Sequence, residues 1–297
     1  MENDAVKRIL KGAIDIHAHT GPSLFPRVVD SIEFAQQAKE YGMRAIVLKC
    51  HHGITSDRAT LVAKVVPGID VFGSVTLNQY VGGINPYAVD AAIDLGAKMV
   101  WMPSNYAQHH INIYGAPEWK QIKQTTEKKK LAIKGVSILD SGGKLTSQTM
   151  EVLELIKSAD IALSTGHISK DETKALVDAA SKMKIKKLVV THITQSELWK
   201  WTVEEQKELI GKGAIIEHCA ILSMENNCLI PVREVAKLIN EVGYENLVIS
   251  SDGGQLRCPT PPDSLKIFIA ELLEEGLEER HLDYMLKQIP AQILGLS

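Results

Sequence analysis

Cysteine is scarce in this 297-residue chain: Cys50, Cys219, Cys228 and Cys258 are all it has, and no two form a C-x-x-C pair. A disulfide framework therefore has no support, and reduced thiols in a cytoplasmic protein are the simplest expectation. Long apolar runs are also missing; none approaches the ~20 residues that a membrane span needs. The first dozen residues, Met1 to Gly12, interrupt their apolar positions with Glu2, Asp4, Lys7, Arg8 and Lys11, so no signal-peptide core is expected. An excess of one charge is lacking as well. The formal net charge of -3 and a pI near 6.4 give no basis for binding nucleic acid or a membrane surface. No G-x-G-x-x-G follows Ile16, which removes the best support for an open, doubly wound nucleotide-binding sheet. Internal repeats, low-complexity tracts and linkers are absent, and one domain over residues 1–297 is expected.

What is present is an ordinary soluble-core composition, 45% apolar and 23% charged, arranged as a rhythm. Short apolar runs at Ala13-His17, Arg44-Lys49, Asp70-Leu77, Lys98-Met102, Ile161-His167, Lys187-His192, Ala214-His218 and Leu247-Asp252 read as strands. Amphipathic stretches lie between them, among them Ser31-Tyr41, Pro86-Leu95, Ser147-Lys157, Lys170-Met183, Thr202-Ile210 and Val232-Glu241, with apolar residues three and four apart. Gly42, Gly96, Gly211 and Gly243 fall where left-handed helix caps belong. The alternation predicts an α/β fold, a (β/α)8 TIM barrel, and the length suits one such barrel at about 250 residues.

Two segments break the rhythm after strand four. Asn105 to Lys130 is a long polar insertion that ends in Lys128-Lys129-Lys130 and is placed to serve as a lid. Leu131 to Leu145, with Gly135-Val136-Ser137-Ile138-Leu139 and a Ser141-Gly142-Gly143 turn, reads as an extra hairpin. The tail from Pro262 to Ser297 reads as helical and is expected to cover the outside of the barrel or a partner subunit.

The chemistry is concentrated at the strand ends. Asp15-Ile16-His17-Ala18-His19 is an Asp-x-His-x-His run; in a regular strand Ile14, Ile16 and Ala18 point one way and Asp15, His17 and His19 the other. His167 ends strand five, His192 strand six and Asp252 strand eight. In a parallel barrel the C-terminal strand ends converge on one rim, where barrel enzymes build their sites. Neutral imidazoles with one carboxylate suit a borderline divalent cation, which lowers the pKa of a bound water to ~7. Asp252 can act both as ligand and as the group that takes and returns a proton.

With this constellation the chain resembles the amidohydrolase superfamily, whose members pair a strand-one His-x-His with histidines on strands five and six and an aspartate on strand eight. More narrowly, Ile14-Asp15-Ile16-His17-Ala18-His19, Lys49-Cys50-His51-His52-Gly53 and Val75-Thr76-Leu77-Asn78 look like an uncharacterised single-domain branch of metal-dependent hydrolases. The resemblance implies that His17 and His19 hold the more buried ion, His167 and His192 the more exposed one, and that Asp252 is ligand and proton shuttle. It implies zinc, with manganese, iron or cobalt as alternatives, in one or two ions. The implied reaction is attack of metal-activated water on an amide, cyclic amide or lactone carbonyl. Phosphoester hydrolysis, mononuclear nonoxidative decarboxylation and a non-enzymatic metal-binding module are the alternatives.

One departure from the pattern concerns strand four, Met99-Val100-Trp101-Met102-Pro103, which lacks the Lys or Glu that bridges two ions in many relatives. Lys49, closing strand two, is the replacement: a carboxylated bridging ligand, a cation for a substrate carboxylate, or an ion-pair partner of Asp15 or Asp252. Glu217 is a further candidate for a bridge, with either it or His218 pointing inward. His51, Asn78 and Arg257 are expected at the substrate, Asn78 on a carbonyl and Arg257, like Arg27 in the first loop, on a carboxylate. The insertion adds Tyr106, His109 and His110. The expected partner is a small molecule, one that can bear a carboxylate, and a homo-oligomer is expected as for most soluble enzymes.

Overall fold

The computed structural model describes residues 4–117, 131–195, 198–225 and 229–296. The Lys128-Lys129-Lys130 run and Cys228 lie outside the described residues. Eight parallel strands run in sequence order around one sheet: β1 (Ile14–His19), β2 (Ala45–Lys49), β3 (Asp70–Thr76), β4 (Ala97–Trp101), β5 (Ala162–Ser164), β6 (Leu188–Val190), β7 (Ala214–Cys219) and β8 (Leu247–Ser250). Closure falls where β8 meets β1: Asp252 N donates to His17 O at 2.7 Å, and His19 N to Gly253 O at 2.9 Å. The predicted (β/α)8 barrel is therefore observed, and the seam that closes it carries three of the expected site residues.

The alternation along the strands sorts side chains into two apolar layers. Ile14, Ile16, Ala45, Val47, Met99, Trp101, Ala162, Val189, Ile215 and Val248 fill the interior of the barrel. Ile46, Leu48, Val100, Leu163, Val190, Ile216 and Ile249 pack outward against helix residues such as Phe34, Leu176 and Phe268. Three helices begin sharply because their caps are complete. Asp30 with Glu33, Ser169 with Glu172 and Thr202 with Glu205 each form a capping box, so the loops that leave β1, β5 and β6 stop at defined points. Left-handed glycines follow helices at Gly42, Gly96 and Gly243 as expected; Gly211 is instead the last helical residue, and Gly213 takes the positive φ.

Two expectations are corrected. The helix Pro261–Glu274 does pack on the outside of the barrel, but the remainder of the tail turns beneath it. Ile289, Ile293 and Leu294 join the interior cluster, plugging the end opposite the strand exits. The apolar spacing of this segment matches an interior as well as an exterior surface, so the sequence did not separate the two. Residues 131–145 do not form a regular hairpin. Single bridges link Leu139 to Leu145 and Val136 to Ala107, and the turn is held by Asp140, whose side chain accepts from Gly142 N and Lys144 N. The bonding capacity of the turn is met locally, and no ladder extends from it.

Candidate metal centre

β1 delivers its two histidines inward only because the strand is irregular. Between Asp15 and Ala18 the pairing with β2 shifts register. Ile14 and Ile16 face the barrel interior, Ala18 joins the outer layer, and the shift leaves His17 and His19 on the interior side. This corrects strict alternation, which would have sent the imidazoles to the face opposite Ile14 and Ile16; an extra residue in one strand inverts everything after it. Asp15 remains on the other face, where its carboxylate accepts from Ser251 N and Oγ and from His17 N. It is the carboxylate behind the imidazoles, bracing β1 against the end of β8. An ion pair with Lys49 is not what occupies it.

The other ligand candidates lie just beyond their strands, since β5 and β6 end sooner than the apolar runs suggested. Gly166 turns the chain at φ +59°, and a Cβ there would sit 2.4 Å from Met102 O and 2.6 Å from Pro103 O, so only glycine lets His167 approach the β4 loop. His192 and Asp252 themselves adopt φ +56° and +45°. Left-handed backbone is uncommon for non-glycine residues and is held here by the packing around the rim.

The side chains converge on Asp252. Its Oδ1 lies 2.9 Å from His17 Nε2 and 3.1 Å from His19 Nε2, while Oδ2 lies 3.5 Å from His192 Nε2. His167 stands beside His192 with ring centres 5.0 Å apart. Behind the cluster, His17 Nδ1 bonds Glu217 Oε1 at 3.0 Å, and Ser250 Oγ donates to the same oxygen at 2.7 Å. A carboxylate on Nδ1 orients the ring with Nε2 toward the cluster, the usual arrangement behind a metal-binding imidazole. Glu217 is thus the inward residue of the Glu217-His218 pair. Cys219, passed over because it has no cysteine neighbour in sequence, brings Sγ within 3.9 Å of His17 Nδ1.

Burial sets the charge states. It holds His19 and His167 well below the ordinary imidazole range and brings His192 down to about 4, so these rings are neutral donors. Burial and Lys49 push His17 down too, but Asp252 and Glu217 outweigh them and raise it. Burial opposes the charge on Asp252, yet His17 and His192 keep its carboxyl well below the usual carboxylate range.

A divalent cation fits these residues. The donor atoms of His17, His19 and Asp252 all lie within 4.8 Å of one another, as do those of His17, His192 and Cys219. His167 Nε2 and Glu217 Oε2 are buried without hydrogen-bond partners among the described residues. Buried polar atoms left in that condition are open to a ligand. Glu217→Gln is expected to weaken cation binding about 10- to 100-fold, as loss of such supporting groups typically does, with the circular dichroism of the barrel retained. Chelator competition measures it, and unchanged affinity would show that Glu217 supports only the fold.

The remaining expected residues divide by position. Lys49 is buried, with Nζ 2.9 Å from His17 Nε2 and 4.0 Å from the centre of the Trp101 ring. Burial lowers its pKa. His51 lies in the cavity wall, stacked 4.4 Å from His19, with Nδ1 on Ser104 Oγ at 2.9 Å. Asn78 is fully buried and its amide is spent within the protein: Nδ2 donates to His51 O and Ser104 Oγ, and Oδ1 accepts from Ser104 N. It stands behind His51 and fixes it. Arg257 and Arg27 both line the cavity. From the insertion, the helix Gln108–Tyr114 reaches across the rim: His110 Nδ1 meets His167 Nδ1 at 2.9 Å, and His109 Nε2 bonds Leu198 O at 2.8 Å. Tyr106 is buried.

Several solved structures share this architecture over nearly their whole length. The probable dipeptidase PvdM from Pseudomonas aeruginosa superposes with a TM-score of 0.66 at 11% identity, over 98% of this chain and 97% of its own. An amidohydrolase from the same organism gives 0.62 at 11% identity, with coverage of 98% and 97%. A probable 2-pyrone-4,6-dicarboxylic acid hydrolase from Acinetobacter baumannii gives 0.57 at 13% identity, covering 96% of this chain and 100% of that one. At such identities the likeness is one of fold, an eight-stranded parallel β/α barrel. The chain belongs to the family of unknown function DUF6282, which it matches over residues 12–217. No curated protein matches it. The matched stretch carries His17, His19, Lys49, His167, His192 and Glu217 and ends before Asp252.

Proposed function

We propose that this chain is a metal-dependent hydrolase acting on an amide, cyclic amide or lactone carbonyl. The observation that carries the reading is the carboxylate of Asp252, whose two oxygens meet the Nε2 atoms of His17, His19 and His192. These residues and His167 would hold the cation, zinc before manganese, iron or cobalt on the chemistry of the donors. When bound, a divalent cation at this place polarises a carbonyl oxygen and makes water a nucleophile at neutral pH.

The protein's own groups supply the rest. Asp252 faces the cavity, takes the proton of the attacking water and returns it to the leaving group. His51, braced by Ser104 and Asn78, orients the substrate. Phe25, Ile221, Leu222 and Leu229 form the apolar part of the cavity wall, against which the rest of a substrate packs. Lys49 and a cation compete for Nε2 of His17, because an ammonium group donating to that lone pair blocks it. Carboxylation of Lys49 would replace the competitor with a ligand and favour two ions; a bare amine favours one.

Metal analysis and reconstitution test the proposal. The purified chain is expected to retain at least one equivalent of a divalent ion, to lose hydrolysis of a lactone and cyclic-amide panel on chelation, and to regain it with zinc. Chelation also lowers the melting temperature, since a cation bound only by the folded state stabilises it. Absence of bound metal, together with hydrolysis indifferent to chelators, would sink the reading.

A further inference from the structure

The cavity beside the metal centre encloses about 880 Å3, within the range of small-molecule sites. Its wall is electrostatically one-sided. Arg27, Lys49 and Arg257 line it against a single acid among the described residues, Asp252, whose charge is already engaged by the imidazoles. A bound divalent cation would make the cavity more positive still. Its complement is an anion.

Arg27 is the group built to receive one. The loop that carries it is tied to the β8 exit by a bridge between Arg27 and Gln255 and by Val28 N donating to Gly254 O at 3.1 Å. Its guanidinium rests 5.6 Å from the centre of the Phe25 ring. Its Nε is enclosed and has no hydrogen-bond partner among the described residues. An enclosed donor of a charged group is costly until an acceptor arrives.

We infer that Arg27 is the specificity-determining residue of this site, its planar fork taking both oxygens of a substrate carboxylate while the bond to be cleaved lies at Asp252. The assignment rests on the hydrolase reading for the second half of that statement and on the cavity alone for the first. It names the substrate class as a carboxylate-bearing amide, cyclic amide or lactone. A flat, bidentate guanidinium suits a carboxylate where an ammonium would serve only as a point charge.

The test is a calorimetric titration of glutarate and of benzoate into the full chain, metal-stripped and then zinc-loaded. The neutral glutaramide and benzamide and inorganic phosphate are run alongside. At least one carboxylate is expected to bind the metal-free wild type, and the amides are expected not to. Arg27→Gln should weaken that binding about tenfold or more, and Arg27→Lys, which keeps the charge but loses the fork, by a smaller factor. Melting curves verify that both variants fold. No carboxylate binding by the wild type, equal binding by Arg27→Gln, amides bound as well as acids, or phosphate preferred to both carboxylates would each overturn the assignment. The amide comparison needs no variant and tests the carboxylate preference even if Arg27→Gln does not fold; Arg27→Lys then tests the assignment to Arg27, and binding equal to wild type would overturn it. Because the first titration is made without metal, loss of the hydrolase reading and loss of the carboxylate site give different results.

Discussion

Asp252→Asn is expected to reduce turnover about 100- to 10,000-fold, the range that a positioned proton-transfer group supplies, and to lower metal occupancy at the same time. The two effects have one origin. The carboxylate is the negative partner of His17, His19 and His192, and it lies at the edge of the cavity, where the proposed reaction uses it as the base. An amide keeps the shape but is a poorer ligand and takes no proton. Asparagine is the right replacement because residue 252 holds φ +45°, a backbone conformation that Asn tolerates far better than Ala. Turnover on a lactone and cyclic-amide panel, with metal counted in the same preparations, measures both. Turnover within about threefold of wild type, far inside the range a lost proton-transfer group costs, would remove Asp252 from the chemistry.

The second large effect is on the fold. A Cβ at Gly254 would lie 1.8 Å from His19 O and 2.8 Å from His19 C, at φ +118°. Both obstructing atoms are backbone, so no side chain can swing away. The clash falls on the seam where Gly253 O accepts from His19 N and the barrel closes. Gly254→Ala is expected to cost about 4 kcal/mol or more, at the upper end of single substitutions. The melting temperature should fall by roughly 10 °C for a chain of this size, and metal binding should go with it, since His19 and Asp252 flank the distorted seam. Gly53→Ala is the control: nothing lies within 4 Å of its Cβ, and its effect should stay within about 0.5 kcal/mol. Similar melting of the two variants would show that the seam can relax.

The barrel was legible because its signal is local and repeated. Each strand is a short apolar run, several of the following helices carry a side-chain cap, and the observed strands fall within the predicted runs or a residue or two beyond their ends. The plug of Ile289, Ile293 and Leu294 was not legible, since helical spacing states that a face is apolar without stating what covers it. The candidate metal centre was legible in its residue types. His17, His19, His167, His192 and Asp252 stand at or just past strand exits, and parallel strands bring such exits to one rim. Its supporting groups were less so. Glu217 looked like one of two equivalent candidates until the inward parity of β7 settled which faced His17. Asn78 read as a group for the substrate, whereas its amide is consumed by Ser104 and His51, a partnership 26 and 27 residues away in sequence. Cys219 and the contact of His110 with His167 carried no spacing signal at all.

Sequence alone determined the number and order of strands, the direction they share and the set of imidazoles and carboxylate offered at their ends, because periodicity and residue chemistry are properties of short stretches. Tertiary structure decided which way those groups face. The register shift in β1 between Asp15 and Ala18 turned His17 and His19 into the barrel, and closure of β8 onto β1 brought Asp252 against them. The first depends on pairing of β1 with β2, the second on pairing between segments more than 200 residues apart, and the energy that selects a register belongs to the pair and to neither strand by itself.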